Sequence, residues 1–377
     1  MRLPALVAAA PLVAALMAAA CSSPSGPKPA ELQRLEKPRE VRVLWSARVG
    51  TADRFVFFPA LVGDSVFAAA RDGTVVRLDG AAKGAERWRV TLERKLSAGV
   101  GANERSVVVA TEDGDVFALS AADGKQRWHA RVSSEVLAPP ALSNGLVLVR
   151  SVDNRIFAFE EEDGKRRWVY QRTPASLIVR SPAGVTIVGE TAFAGFSGGK
   201  LAAIALSNGG VRWESTVAVP KGATELERVT DVVGEPVVQG REVCAAAYQG
   251  RVACFDMASG RQVWSRELSS LTGVTVDARY AFVSDDRGAV HELDRSNGRP
   301  VWKQDKLAYR QLSVPAPVGN VVAVGDLEGY VHFLSRESGA FVARYSSGGG
   351  PVRAAPVALA SSLLVQTQDG TLLALAL

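Results

Sequence analysis

Gly124-Lys125-Gln126-Arg127-Trp128 and, forty residues on, Gly164-Lys165-Arg166-Arg167-Trp168 decide how this chain reads. The Gly-x-x-x-Trp spacing returns at Gly84/Trp88, Gly209/Trp213, Gly260/Trp264 and Gly298/Trp302. A degenerate copy, Gly339/Ala343, has lost the indole. Six of the seven Trp close such a unit, and the seventh, Trp45, precedes the first. One large aromatic per unit at a near-fixed period marks a repeat architecture, in which small supersecondary units stack to bury a shared core.

Around each Gly-x-x-x-Trp the texture is constant: short β-rich runs divided by Gly, Asp and Asn turns, with no long stretch of 3.6-residue amphipathic period. The second unit serves as the pattern. Leu96 to Gly101 reads as an inner strand, Val107 to Ala110 as a second, Val116 to Leu119 as a third, and Arg127-Trp128 opens a fourth. Asp113-Gly114 is the hairpin signal at the middle of the unit. Equivalent middle turns are Asp72-Gly73, Asp153-Asn154, Gly198-Gly199, Gln249-Gly250, Arg287-Gly288, Glu328-Gly329 and Asp369-Gly370, which makes eight units. The eighth stops at Leu377 after its third strand, and the chain starts with an orphan fourth strand, Val43-Leu44-Trp45. Joining the two removes the open edges. The expectation is an all-β, eight-bladed β-propeller of four-stranded antiparallel blades over residues 41–377, its ring closed by the N-terminal strand. Trp45, Trp88, Trp128, Trp168, Trp213, Trp264 and Trp302 are expected to dock neighbouring blades, each packed near the Gly turn that precedes it.

With 47% hydrophobic and 22% charged residues, the chain is ordinary globular material. Its net charge of +5 is spread among interspersed acids, so it predicts no nucleic-acid partner. Residues 1–20 differ: Arg2, then an uncharged run rich in Ala, Leu and Val to Ala18-Ala19-Ala20, followed by Cys21. This reads as an export signal, with Cys21 as a lipidation site after a lipobox-like run of small residues. Residues 21–40, with Pro24, Pro27, Pro29 and Pro38, are expected to be a flexible tether.

The repeat is broken in one region. Trp-to-Trp gaps run 38 to 43 residues, except 45 for Trp168/Trp213 and 51 for Trp213/Trp264. The extra residues fall in two connections between blades, Tyr170 to Pro182 and Thr216 to Glu235, which are expected on the face that carries the middle turns. Insertions clustered on one face of a repeat protein commonly mark its binding face. The first carries Ser176-Leu177-Ile178-Val179-Arg180 and the second Glu225-Leu226-Glu227-Arg228-Val229-Thr230-Asp231, and apolar residues beside an Arg suit a protein interface. Cys244 and Cys254 flank the Gln249-Gly250 turn and are either a cross-strand disulfide or two buried thiols. No catalytic set and no metal motif is visible; His129, His291 and His332 lie far apart.

The unit Ala121 to Trp128 (Ala-Ala-Asp-Gly-Lys-Gln-Arg-Trp) resembles the tryptophan-docking repeat of quinoprotein alcohol dehydrogenases, eight-bladed propellers that bind pyrroloquinoline quinone and calcium. Those enzymes carry a vicinal Cys pair, which this chain lacks, so a quinoprotein-like periplasmic dehydrogenase is the alternative reading. With the export signal and Cys21, the repeat is similar to the BamB family, propeller lipoproteins of the outer-membrane β-barrel assembly machinery. That resemblance implies a non-enzymatic scaffold without cofactor, lipid-anchored to the outer membrane and facing the periplasm, with Ser22 after the Cys matching outer-membrane sorting. It implies binding to the POTRA domains of BamA and contact with nascent outer-membrane proteins. The family's two contact loops map onto Leu177, Val179 and Arg180, and onto Arg228 and Asp231, with Val233 where the family pattern has an acid.

Overall fold

A computed structural model describes residues 26–173, 175–359 and 361–377. The expected signal segment and Cys21 lie outside the described residues. Eight four-stranded antiparallel sheets form the ring of a β-propeller. Seven blades run inner to outer in chain order, from Ala60–Val62 and Ser65–Ala69 through Thr74–Asp79 to Ala85–Thr91 in blade 1. In blade 8 the order is Val357–Leu359, Ser362–Gln366, Thr371–Ala376 and then Arg42–Arg48. Arg42 pairs with Ala376 and Arg48 with Thr371, so the N-terminal strand closes the ring as the orphan strand predicts.

The middle two strands of each blade alternate little, because both of their faces are buried against neighbouring blades. Ser106–Thr111, for example, is buried throughout. The outer strands keep one inward residue between exposed ones, as in Gln126–Arg131 with Trp128 turned inward. Hydrophobic clusters accordingly span pairs of blades rather than single ones: Trp128 packs with Val108 and Ala118 of its own blade and with Val149 and Phe159 of the next.

The indoles do dock blades, but not against their own Gly turn. Each lies on the Gly of the following unit. A Cβ built on Gly164 would stand 2.7 Å from the ring of Trp128, and Trp45, Trp88, Trp168, Trp213, Trp264 and Trp302 meet Gly84, Gly124, Gly209, Gly260, Gly298 and Gly339 in the same way. The indole N–H reaches the same neighbour: Trp128 Nε1 donates to the Glu161 carbonyl at 2.8 Å and Trp168 Nε1 to that of Leu206 at 2.7 Å. A positive φ of 74° at Gly164 completes the case for glycine there. The offset accounts for the degenerate copy. Gly339 is kept because it receives Trp302. A Trp at Ala343 would face blade 8, whose outer strand is the N-terminal Arg42–Arg48, so no Gly turn joins its third and outer strands to receive it.

The expected tether is not free along its whole length. Ala30 N–H donates to the Ala308 carbonyl at 2.8 Å, and Arg39 N–H to that of Val342 at 2.9 Å. Leu32 packs against the blade 6–7 cluster that contains Phe282, Trp302 and Leu312. The Pro-rich reading missed this because two half-buried Leu, Leu32 and Leu35, and a few backbone hydrogen bonds leave little trace in composition.

Candidate functional site: two loops on one face

The blade 3 outer strand ends at Gln171 and the blade 4 inner strand starts at Val185. The first inserted loop therefore spans 172–184. The second is 217–231, shorter than expected from sequence because the blade 5 inner strand, Val232–Gln239, starts early and absorbs its end through a bulge. Asp231 bridges Ser197, next to the Gly198-Gly199 middle turn of blade 4. Both loops thus stand on the face of the middle turns.

Asp231 fastens the second loop to the first. Its Oδ2 accepts the Val179 N–H at 2.5 Å and its Oδ1 the Gly198 N–H at 3.3 Å. It is 5% exposed. Burial pushes its carboxyl above the ordinary value, opposed by the two amides and by nearby Arg150. Asp231, expected as a partner contact, is here a buried carboxylate with both oxygens engaged, which sets the loop's shape. Asn at 231 would keep one carbonyl acceptor for two amides. Asp231→Asn is expected to speed hydrogen exchange of the Val179 amide about tenfold or more, with the ring's unfolding midpoint little changed. Amide-resolved exchange checks it.

Arg180 is held from two sides. Its Nε donates to Glu135 Oε2 at 3.1 Å, a second nitrogen ion-pairs with Glu135 Oε1, and its guanidinium lies 5.3 Å from the Phe55 ring centre. Its side chain is still 48% exposed. Phe55 also receives Arg71 at 4.5 Å and Arg54 at 5.1 Å. The sequence reading missed Phe55, although the Phe55-Val56-Phe57-Phe58 run before blade 1 was the signal. The first loop thus leans toward blade 1, and cation–π contacts secure it there.

Under the loop is a cavity of about 190 Å³ whose walls include Leu137, Asn154, Ile178, Ala183 and Arg150. Arg150 donates to the Ala183 carbonyl at 3.2 Å and stacks on Phe196. Burial lowers its pKa to about 10, with Asp231 opposing, so it stays charged at neutral pH.

What faces outward is apolar. Leu177 is 47% and Ile178 39% exposed, and Leu226, at the tip of the second loop, is 71% exposed. That tip is a single turn closed reciprocally: Thr224 Oγ1 accepts Glu227 N–H, and Glu227 Oε2 accepts the N–H groups of Ala223 and Thr224. Arg228 is exposed and pairs with Glu225 at 4.0 Å. Val179, Arg180 and Asp231 are brought together; Arg228 stands apart on its own turn. Elsewhere, Cys244 and Cys254 face each other in register and are joined by a disulfide. Among the described residues no group of three or more His, Cys, Asp and Glu converges as a metal site.

Comparison with known proteins agrees with this architecture. Residues 71–304 match the family model described as outer membrane protein assembly factor BamB. The chain is 43% identical over 346 residues to the protein of that name from Bordetella pertussis, covering 92% of this chain and 89% of that one. It is 44% identical to the one from Pseudomonas aeruginosa, covering 97% of each. The crystal structure of BamB from Moraxella catarrhalis superposes with a TM-score of 0.82 at 28% identity, covering 90% of this chain and all of that one. The quinohemoprotein alcohol dehydrogenase of Comamonas testosteroni shares the fold, with a TM-score of 0.71 at 12% identity. With its eight docked blades and these relatives along nearly its whole length, the chain belongs to the family of outer membrane protein assembly factor BamB.

Proposed function

We propose that the protein is a non-enzymatic scaffold in outer-membrane protein assembly, lipid-anchored through Cys21 in the periplasm, which holds the POTRA domains of BamA on its two-loop face. The observation that carries this is the pinned pair of loops: a rigid base made by Asp231, Glu135 and Phe55 beneath the exposed apolar side chains Leu177 and Ile178. Pre-organised loops lose little entropy on binding, and apolar residues beside an Arg are the usual make-up of interface anchors. Leu177 and Arg180 supply the contact, Val179 and Asp231 fix its shape, and Arg228 adds a charge at the rim. Nascent outer-membrane proteins would be presented to the assembly site by the same complex.

The test is a titration of residues 22–377 against the POTRA domains of the same organism's BamA. Leu177→Asp and Arg180→Glu are each expected to weaken binding tenfold or more with the ring still folded. Glu135→Gln, which unfastens Arg180 but keeps its charge, separates the roles. Binding within threefold of wild type would assign Arg180 to direct contact, and a loss matching Arg180→Glu would assign it to holding the loop. Absence of binding by a folded wild-type chain would overturn the proposal. Saturable binding of quinone and calcium would then favour the dehydrogenase alternative.

A further inference from the structure

The ring has two distinct faces. The middle turns and the connections between blades lie on one, here called the loop face, and the Gly-x-x-x-Trp turns lie on the other. Register places Arg48 beside Thr371, next to the Asp369-Gly370 middle turn, and Arg42 beside Ala376 at the far end of the strand. Entered from its N-terminal end, the closing strand Arg42–Arg48 therefore begins on the face opposite the loops. A free tether ending at residue 41 would leave from that opposite face.

The segment before it does something else. Arg39 N–H bonds Val342 near the start of the blade 7 outer strand Phe341–Ser346, at the opposite-face end. Gln33 accepts from Arg344 Nη1 at 2.9 Å, midway along that strand. Ala30 donates to Ala308 and accepts from Arg310 Nη1 at 2.9 Å. Ala308 and Arg310 belong to the blade 6–7 connection on the loop face, since Tyr309 N–H bonds Arg287 and Leu327 N–H bonds Arg310, each at a middle turn. Traced backwards, the segment climbs the outside of blade 7 from one face to the other.

The two arginines that hold it are themselves fixed from within. Arg310 is buried, its Nε donating to Asp326 Oδ2 at 2.7 Å and its Nη2 to Glu328 at 2.5 Å. Arg344 Nε donates to His332 Nδ1 at 3.1 Å, which leaves the proton of this buried imidazole on Nε2, directed to Asp326 Oδ2 at 2.8 Å. Burial holds the His332 pKa down, which keeps the ring neutral and able to accept from Arg344. Two guanidiniums braced in this way present ready-made donors to the strap's carbonyls at low entropic cost.

We infer that residues 30–39 are a strap that carries the N-terminus across the ring, so that whatever is joined at Cys21 leaves from the loop face and not from the opposite one. The consequence for the membrane rests on the reading of Cys21 as the lipid attachment. Eight residues lie between Cys21 and Ala30, a reach of about 30 Å at most. The strap therefore puts the lipid and the partner-binding loops on the same side of the ring and cuts the free leash to half of the expected tether.

The experiment measures spin-label distances in the chain of residues 21–377 with Cys21→Ser and one label at Lys28→Cys. The second label is at Asp286→Cys on the loop face or at Glu337→Cys on the opposite face. With the strap in place, the Lys28→Cys label is nearer the first position by on the order of 20 Å, the length of one blade strand. Adding Ala30→Pro and Leu32→Asp, which alter the strap and leave the ring intact, is expected to broaden both distributions and reverse the preference. Broad distributions before those substitutions, or no change on making them while circular dichroism shows a folded ring, would overturn the strap. Flotation of the full chain with phospholipid vesicles tests the attachment separately. Failure to float with the spin-label result intact would sink the membrane consequence and leave the strap standing.

Discussion

Trp128→Ala is expected to lower the unfolding free energy by about 3–5 kcal/mol, the usual cost of deleting a buried large aromatic. The indole is 6% exposed, fills the seam between blades 2 and 3, and gives its N–H to the Glu161 carbonyl. Its removal opens a cavity and strips a buried acceptor together. A double-mutant cycle identifies the partner. Gly164→Ala alone is destabilising, because its Cβ would sit 2.7 Å from the indole at a φ of 74°. Combined with Trp128→Ala it costs less than the sum, since the added methyl enters the vacated space. Gly124→Ala, in the unit that Trp128 itself closes, meets Trp88 instead, so with Trp128→Ala the two costs add. Urea unfolding of the six proteins settles it, and a coupling found at Gly124 rather than Gly164 would reverse the docking order. By the same logic Ala343→Trp does not restore a lost contact. Ala343 is fully buried and no Gly turn of blade 8 awaits the ring, so overpacking by about 1–3 kcal/mol is expected.

Glu292→Gln is expected to stabilise the protein at pH 8 by up to about 3 kcal/mol and to give no gain at pH 4. Glu292, on the blade 6 strand Val290–Asp294, is fully buried, and neither carboxyl oxygen has a hydrogen-bond partner among the described residues. Burial is the main reason its pKa rises to about 7, with the Arg336 charge opposing; the Trp302 indole N–H goes to the Arg336 carbonyl instead. A folded-state pKa above the unfolded one means that the native protein holds the proton more tightly. Glu292 therefore favours folding fully below about pH 4.5, and this contribution is lost as pH climbs to about 7. Other groups act in the opposite sense: hydrogen bonds from His332 and Arg310 help hold the Asp326 carboxyl below its ordinary value despite burial. The readout is therefore the difference between wild type and variant across the pH series, not the wild-type curve. A difference independent of pH between 4 and 8 would show that the carboxyl finds a partner in solution.

The sequence by itself determined the number of blades, their strand order and the way the ring closes. These rest on local chemistry repeated eight times: middle turns with a Gly or Asn that suits a tight hairpin, β-branched runs between them, and an orphan strand whose missing partners sit at the other end of the chain. It also located both insertions, because a break in a period can be counted. Tertiary structure alone decided which Gly receives which Trp, since blade-to-blade packing sets the offset and the spacing within a unit is the same either way. It decided that Asp231 is a buried fastener while Leu177 stays exposed, because burial depends on how two loops, joined by a contact 52 residues apart, lean together. It drew Phe55 under Arg180, left Glu292 without a partner, and laid a Pro-rich segment along blade 7 through one Leu and four hydrogen bonds. Each of these joins residues far apart in the chain, through contacts that no local pattern encodes.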